Sequence, residues 1–197
     1  MSNVYFCADL HLGHDAIRRH CNRPWPTIEE HDAALIANWN KVVTRKDLVY
    51  ILGDFAMIKK MDDGIPPMKK YRKFIMALNS KKVIIFGNHD DMNMETKACF
   101  SRTYEGIHDM ILDKQKITLS HYPMRSWNCS FHAAWHFHGH CHNRLSDVPH
   151  ILSMDVGVDN PISNYAPIPW ETLKPIMQKK TEIWREYWNK NNKERLV

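Results

Sequence analysis

The segment Val4-Tyr-Phe-Cys-Ala-Asp9-Leu-His11 decides the fold class, because a short apolar run ends in side chains that can bind metal. The run is strand-like, and Asp9 and His11 would lie on one side of an extended chain because they are two residues apart. A capping box of Thr27 and Glu30 predicts that a helix follows. A strand followed by a helix indicates the crossover units of an α/β protein.

The same arrangement recurs further along the chain. The predicted strand Asp47–Leu52 is followed by Asp54, and the predicted strand Lys82–Phe86 is followed by Asn88. Apolar residues at three- and four-residue steps predict a helix over Pro67–Leu78 between them. Since ligands bind beyond the carboxyl ends of the strands in an open α/β sheet, we expect these polar side chains to meet at one edge.

The second half of the sequence predicts strands that lie closer together. Ile107–Leu112 and Lys116–Ser120 form a predicted hairpin, and Trp135–Gly139 and Ile151–Val158 are further strand candidates. A final helix is predicted from Trp170 to about Asn189. Further histidines follow these strands, at positions His121, His140 and His142.

The composition limits the class of protein. A length of 197 residues predicts one domain over 1–197, with the last eight or so residues frayed. The five cysteines are widely spaced and form no CxxC pair, which fits a reducing compartment. No apolar run could span a bilayer and the first residues are not typical of a signal peptide, so we expect a cytoplasmic protein without a membrane partner. A net charge of +5 permits an anionic substrate.

The polar residues that follow the strands form a mixed set of two carboxylates, one amide and four imidazoles. Such a set suits manganese, iron, zinc or nickel better than calcium. Seven ligands are too many for one zinc ion, but they fit two divalent cations that share a carboxylate, and such a pair would favour an anionic phosphate. The predicted metal ligands are Asp9, His11, Asp54, Asn88, His121, His140 and His142.

Five sequence blocks in this order resemble the motifs of the calcineurin-like metallophosphoesterase superfamily. The blocks are Asp9-x-His11, Gly53-Asp54, Gly87-Asn88-His89-Asp90, His121 and Gly139-His140-x-His142. The segments Asn22–Trp25 and Met154–Asp159 further resemble a small bacterial and phage branch of that superfamily. The resemblance implies an α/β fold that is a four-layer αββα sandwich with two mixed β-sheets.

The resemblance also implies how the ligands divide. One cation, for which manganese is favoured over iron, zinc or nickel, would bind Asp9, His11, Asp54 and His142. The other would bind Asp54, Asn88, His121 and His140, so that Asp54 bridges the two. A hydroxide held between the metals would attack phosphorus. His89 would not bind metal but would protonate the leaving oxygen or stabilise its charge.

The sequence departs from the protein serine/threonine phosphatases of the superfamily. It lacks their Asp-Arg-Gly motif shortly after Asp54, and Asp90 replaces the glutamate that follows their Asn-His pair. A phosphodiester or nucleotide-type substrate is therefore predicted. The alternatives are a nuclease acting on DNA or RNA, a phosphomonoesterase and a non-catalytic scaffold. A homo-oligomer is also left open.

Several residues near the motifs keep two interpretations. His14 could touch the substrate, support a metal ligand or begin a helix. Arg125 and Arg23 could each contact a phosphate oxygen, although an ordinary exposed arginine is commoner. His138 alternates in phase with His140 and His142 and could displace one of them as a ligand. Asp90 could hold the imidazole of His89 or cap a following helix.

Overall fold

A computed structural model describes residues 2–58 and 65–192. The sequence also predicts a loop from Asp62 to Pro67, of which the first three residues lie outside the described residues, as do the last five residues of the predicted frayed end. Pro67 itself begins a helix. The strands, in chain order, are β1 Val4–Cys7, β2 Leu48–Ile51, β3 Lys81–Phe86, β4 Arg102–Glu105, β5 Ile107–Leu112, β6 Gln115–Ser120, β7 Trp135–His138, β8 Ser153–Asp155 and β9 Ile168–Pro169. The α-helices are α1 Asp15–His20, α2 Ile28–Val42, α3 Pro67–Ala77, α4 Met94–Lys97 and α5 Trp170–Asn192.

The strands form two sheets, and both are mixed. The first has the order β4-β3-β2-β1-β9, in which only β9 runs antiparallel to its neighbour. The second has the order β5-β6-β7-β8, in which β5 pairs antiparallel with β6 and the other pairs are parallel. The predicted α/β sandwich with two mixed sheets is confirmed.

The two faces of the first sheet pack into two different cores, because successive side chains of a strand point to opposite sides. Phe6 of β1 packs against Phe137 of the second sheet, with ring centroids 5.1 Å apart. Tyr5 and Cys7 point the other way, into a core that includes Trp39 of α2. Sheet packs on sheet on one face of β1, and helices cover the other.

Several predicted elements appear where the local signals placed them. The helix α2 begins with the predicted capping box, since the Thr27 side chain accepts from the Glu30 N–H and the Glu30 carboxylate accepts from the Thr27 N–H. The predicted hairpin is present as β5 and β6. No helix among the described residues combines the length and the apolar character needed to cross a bilayer.

The predicted strand over Ile151–Val158 is much shorter, because the chain changes partners within it. Only Ser153–Asp155 pairs with β7. The Val156 N–H still donates to the His138 carbonyl of β7 in the second sheet. The Val158 N–H instead donates at 3.1 Å to the Ala8 carbonyl, directly after β1 of the first sheet. This segment therefore joins the two sheets beside the carboxyl end of β1.

Candidate metal centre

The loops after β1 and β2 run side by side and bring their polar residues together. The Asp9 N–H donates to the Gly53 carbonyl at 3.0 Å, and the His11 N–H donates to the Asp54 carbonyl at 2.9 Å. These bonds continue the parallel pairing of β1 with β2 past the ends of both strands. As a result, Asp9, His11 and Asp54 face one another although Asp54 is far away in sequence.

Five of the seven predicted ligands have a left-handed backbone. Left-handed φ is uncommon for residues other than glycine and clusters at functional sites, where the surrounding structure compensates for its cost. The φ values are 58° for Asp9, 53° for His11, 52° for Asp54, 68° for His140 and 49° for His142. The side chains of these residues are thus aimed by tight turns that immediately follow the strands.

One oxygen of Asp54 faces two imidazoles. Its Oδ2 lies 3.4 Å from Nε2 of His11 and 3.4 Å from Nε2 of His121. Nδ1 of His121 lies 2.8 Å from the Leu52 carbonyl, which directs Nε2 into the site. Oδ1 of Asn88 lies 2.9 Å from that same Nε2 and 3.0 Å from Nδ1 of His140.

Asp9 lies close to His11 and His142 and also to Asp54 and His121. Its carboxylate accepts the backbone N–H of His140, with an Oδ2 distance of 2.8 Å. Metal-binding atoms of Asp9, His11 and His142 lie within 4.8 Å of one another, and so do those of Asp9, Asp54 and His121. These two groups contain five of the seven predicted ligands, and Asn88 and His140 join them through the contacts of Asn88 with His121 and His140.

The loop after β3 comes very close to Asp54 and His121 at Gly87. A Cβ atom added to Gly87 would lie 2.7 Å from the backbone nitrogen of Asp54 and 2.9 Å from the His121 ring. Real Cβ atoms do not come so close to other atoms, and glycine is the residue that permits such an approach. Gly87 thus allows the loop after β3 to pack directly on Asp54.

Burial and neighbouring charges shift the pKa values of these groups in different directions. Burial lowers the pKa of His11 to about 2, and it raises the pKa of Asp9 to about 7. Burial also acts to raise the pKa of Asp54, but the hydrogen bond and charge of His121 outweigh it and lower the value to about 2. Asp54 is therefore ionised and His11 is neutral at neutral pH.

These groups fit a metal ion. Nε2 of His11 is buried and has no hydrogen-bond partner among the described residues, yet it faces the Asp54 carboxylate. A neutral imidazole with a free lone pair is the form that binds metal. Burial raises the pKa of Asp9 more than the nearby charges of His142 and His121 lower it, and a cation would supply further positive charge. The structure thus contains a candidate metal site at Asp9, His11, Asp54 and His121.

His89 and His14 lie at the mouth of this site. The backbone N–H of His89 donates to Oδ1 of Asp54 at 2.9 Å, while its side chain is exposed. Its ring centroid lies 5.2 Å from that of His11 and 5.7 Å from that of His14. His14 precedes α1, and its Nδ1 lies 3.2 Å from Nδ1 of His11.

Two other candidates lie apart from the seven ligands. Arg125 is exposed and lines a small cavity with Phe131 and Trp188, and no contact among the described residues joins it to the predicted ligands. His138 is buried, and its Nδ1 donates to the Gly139 carbonyl at 3.0 Å. Phosphate contact by Arg125 stays a prediction, and so does the choice of His140 and His142 over His138 as ligands.

The structure corrects the interpretations of Arg23 and Asp90. The Arg23 side chain is 0% exposed and is ion-paired with Asp159, so it is not an ordinary surface arginine. Asp90 neither caps α4, whose N-cap is Asn93, nor holds the imidazole of His89. Its carboxylate instead accepts three backbone N–H groups, those of Asp54, Phe55 and Gly87, at 2.7 to 2.9 Å.

Asp159 was not predicted as a functional residue, and it lies directly against a predicted ligand. Its Oδ2 accepts Nδ1–H of His142 at 2.7 Å. Burial acts to lower the pKa of His142, but the bond with Asp159 outweighs it and raises the value to about 10. The only sequence signal for this pair was the segment Met154–Asp159, which resembled a family motif without indicating what Asp159 contacts.

Comparisons with known proteins give the family. The family model for calcineurin-like phosphoesterases matches residues 2–110. An uncharacterised protein of Methanocaldococcus jannaschii is 34% identical over 91% of this chain and 93% of its own length. The Gene 66 protein of a Mycobacterium phage is 26% identical over 89% of this chain and 93% of its own length.

A solved structure supports the fold. The structure of a protein of unknown function from Aquifex aeolicus superposes with a TM-score of 0.71 at 23% identity, covering 89% of this chain and 100% of that one. With the family model spanning more than half of the 197 residues, the assignment follows: the chain belongs to the calcineurin-like phosphoesterase family and is a metal-dependent phosphoester hydrolase.

Proposed function

We propose that this protein hydrolyses a phosphodiester or nucleotide-type substrate with two divalent cations, for which manganese is favoured and iron, zinc or nickel are the alternatives. The observation that carries the proposal is the single Asp54 oxygen that lies 3.4 Å from an imidazole nitrogen on either side. A carboxylate in that position can serve two cations at once. One cation would be held by Asp9, His11, Asp54 and His142, and the other by Asp54, Asn88, His121 and His140.

The cations, when bound, supply the positive charge that activates water and stabilises the attacking and leaving oxygens of phosphate. The chain itself fixes the carboxylates that hold them. Oδ1 of Asp54 accepts the His89 N–H, and the Asp9 carboxylate accepts the His140 N–H. Both acids are nearly fully buried, so water does not compete for their oxygens.

His89 is the residue that we place on the leaving group. Its side chain is exposed beside the buried ligands, and its backbone is tied to Asp54. An imidazole there can donate a proton to the departing oxygen. His14 lies next to His89 and His11, where it can orient His11 through the contact between their Nδ1 atoms or touch the substrate.

A cavity beside His89 supports an organic leaving group. It has a volume of about 390 Å³, and its lining includes His89 and the apolar side chains of Met57, Ile58 and Met68. Methionine adapts its shape to planar rings and makes favourable contacts with them. This lining suits a nucleoside better than a small hydrophilic alcohol.

A nuclease activity is the second candidate. Asn88, His89 and His140 are exposed at the mouth of the site, so a nucleic-acid strand could reach them. Binding that depends on phosphate contacts along a strand weakens steeply as salt rises, because it releases counterions. A single nucleotide substrate would show a much smaller dependence.

The proposal is tested by a substrate screen with the manganese-loaded protein. The substrates are bis(4-nitrophenyl) phosphate, 4-nitrophenyl phosphate, cyclic nucleotides and single-stranded nucleic acid. We expect the diester to be cleaved faster than the monoester, with activity lost on chelation. Faster cleavage of the monoester would make the protein a phosphomonoesterase, and a protein that cleaves none of these substrates with any divalent cation would contradict the proposal.

A further inference from the structure

Two sequence segments that resemble family motifs contribute nothing to the seven ligands, yet the structure joins them. Arg23 belongs to the segment Asn22–Trp25 and Asp159 to the segment Met154–Asp159, 136 residues apart from each other. Nε of Arg23 donates to Oδ1 of Asp159 at 2.9 Å, and Nη2 donates to Oδ2 at 2.7 Å. This two-pronged geometry is the strongest form of an arginine–carboxylate pair.

The carboxylate of Asp159 also fixes the ring of His142. Oδ2 accepts from Nδ1 of His142 at 2.7 Å, so the proton of the neutral ring resides on Nδ1. Nε2 is then the nitrogen with a free lone pair. The His142 ring stacks on the His11 ring at a centroid distance of 5.2 Å, on the side of the site where Asp9 and His11 meet. A carboxylate behind a histidine in this way sets the ring's orientation and strengthens it as a ligand.

The other donors of Arg23 hold the loop that carries Asp9 and His11. Nη2 donates to the Asp9 carbonyl at 2.6 Å, and Nη1 donates to the Leu10 carbonyl at 2.9 Å. Both Asp9 and His11 have left-handed backbone, so this loop needs such support. Arg23 therefore contacts both the loop that carries Asp9 and His11 and the Asp159 carboxylate behind His142.

The guanidinium has no spare donor. Its remaining N–H lies 2.8 Å from Nε2 of His31, whose Nδ1 lies 2.8 Å from the carboxylate of Asp32. Asp32 in turn accepts the Gly13 N–H at 3.0 Å. All five N–H groups of Arg23 thus have a partner in a buried position, a set that the three donors of lysine cannot reproduce.

We propose that Arg23 and Asp159 are positioning residues for the cation bound by Asp9, His11, Asp54 and His142. They fix the ring of His142 and the backbone of the Asp9–His11 loop, and they do not touch the substrate. The inference rests on the ligand set of the proposed function. It assigns a role to two residues that no ligand pattern in the sequence identifies.

The test is the variant Asp159→Asn, which keeps the shape of the side chain but gives it an N–H₂ group where one of the two acceptors was. Manganese binding is titrated by electron paramagnetic resonance. We expect the affinity of one of the two ions to fall 10- to 100-fold, as losses of such supporting carboxylates do. The other ion should bind within a few-fold of its original affinity, and excess manganese should restore most of the activity.

A matched control is Asp113→Asn. Asp113 likewise accepts hydrogen bonds from two side chains, those of Trp170 and Lys174, but it lies in the turn between β5 and β6, away from the ligands, so manganese affinity should not change. Arg23→Lys should weaken the same ion as Asp159→Asn. Two manganese ions bound as tightly in Asp159→Asn as in the original protein would overturn the inference, as would a lost turnover rate that excess manganese does not restore.

A measurement on the unaltered protein keeps the inference testable if the variants fail to fold. In the protein loaded with zinc, a diamagnetic ion, the ¹⁵N spectrum of the His142 ring should show a proton on Nδ1 and none on Nε2, and the opposite pattern would overturn the inference. Failure of the proposed function looks different. In that case the unaltered protein binds fewer than two manganese ions or does not cleave bis(4-nitrophenyl) phosphate, whatever Asp159→Asn does.

Discussion

Replacing Asp54 by asparagine should weaken the binding of both cations, because one oxygen of Asp54 faces His11, a ligand of the first cation, and His121, a ligand of the second. Two unit charges 3.4 Å apart, the distance from Oδ2 to Nε2 of His11 and of His121, attract each other by about 5 kcal/mol at an effective dielectric constant of ~20. A divalent cation held between these groups feels the carboxylate more strongly. If half of the unit-charge attraction is lost, binding weakens roughly 60-fold, so we expect each ion to lose about 100-fold in affinity.

The assay is manganese titration by calorimetry, followed by the rate of bis(4-nitrophenyl) phosphate cleavage at saturating manganese. Asp54→Asn should bind neither ion tightly and should lose turnover by about 1,000-fold, which corresponds to ~4 kcal/mol of transition-state stabilisation. Asp113→Asn is again the control, since the Asp113 carboxylate accepts from Trp170 and Lys174 and lies away from the predicted ligands. Loss of one ion with normal binding of the other would refute the bridging role of Asp54, and so would undiminished turnover.

Three further predictions follow from other contacts. His89→Ala should keep both metal ions, measured by elemental analysis, and should lose about 100-fold in rate with an alkyl leaving group but much less with nitrophenolate; a fall in metal content would mean that His89 is a ligand. Gly157→Ala should lower manganese affinity at least ~10-fold, because the added Cβ would lie 2.8 Å from Oδ2 of Asp9; unchanged affinity would show that the loop yields easily. Burial acts to raise the pKa of Asp47, but hydrogen bonds from backbone N–H groups hold this pKa below the usual 3.8. The charge of Asp47 therefore stabilises the fold above about pH 4, and this contribution is lost as the pH falls through the lowered pKa. Asp47→Asn should therefore cost about 2 kcal/mol of unfolding free energy in urea at pH 7, and the cost should shrink steadily as the pH is lowered into the acid range; a cost that does not change with pH would contradict this reasoning.

The residues that follow the strands could be predicted because their positions depend on local signals. An apolar run that ends in Asp9 or Asp54 is visible in the sequence, and parallel strands must end at a common edge. The start of α2 was equally local, since Thr27 and Glu30 lie within one helical turn. Each of these predictions depends on residues that are neighbours in the sequence.

The contacts behind the ligands could not be predicted in this way. Arg23 and Asp159 are charged residues with no periodic pattern, and their burial depends on a partner 136 residues away. Asp90 precedes a short helix, which made a capping role reasonable, but backbone N–H groups of the β2 loop compete for its carboxylate. The strand β9 is two residues long, and its partner β1 lies at the other end of the sequence, so β9 too has no local signal.

The opposite orientation of neighbouring side chains in β1 has a consequence for how this protein tolerates insertions and deletions. Phe6 fits only the space between the sheets, and Tyr5 and Cys7 fit only the space under the helices. Adding or removing one residue in this strand would exchange the two faces, so that both interiors would be mismatched at once. Alignments of more distant relatives should therefore place their gaps after the ligand-bearing turns and never inside this strand.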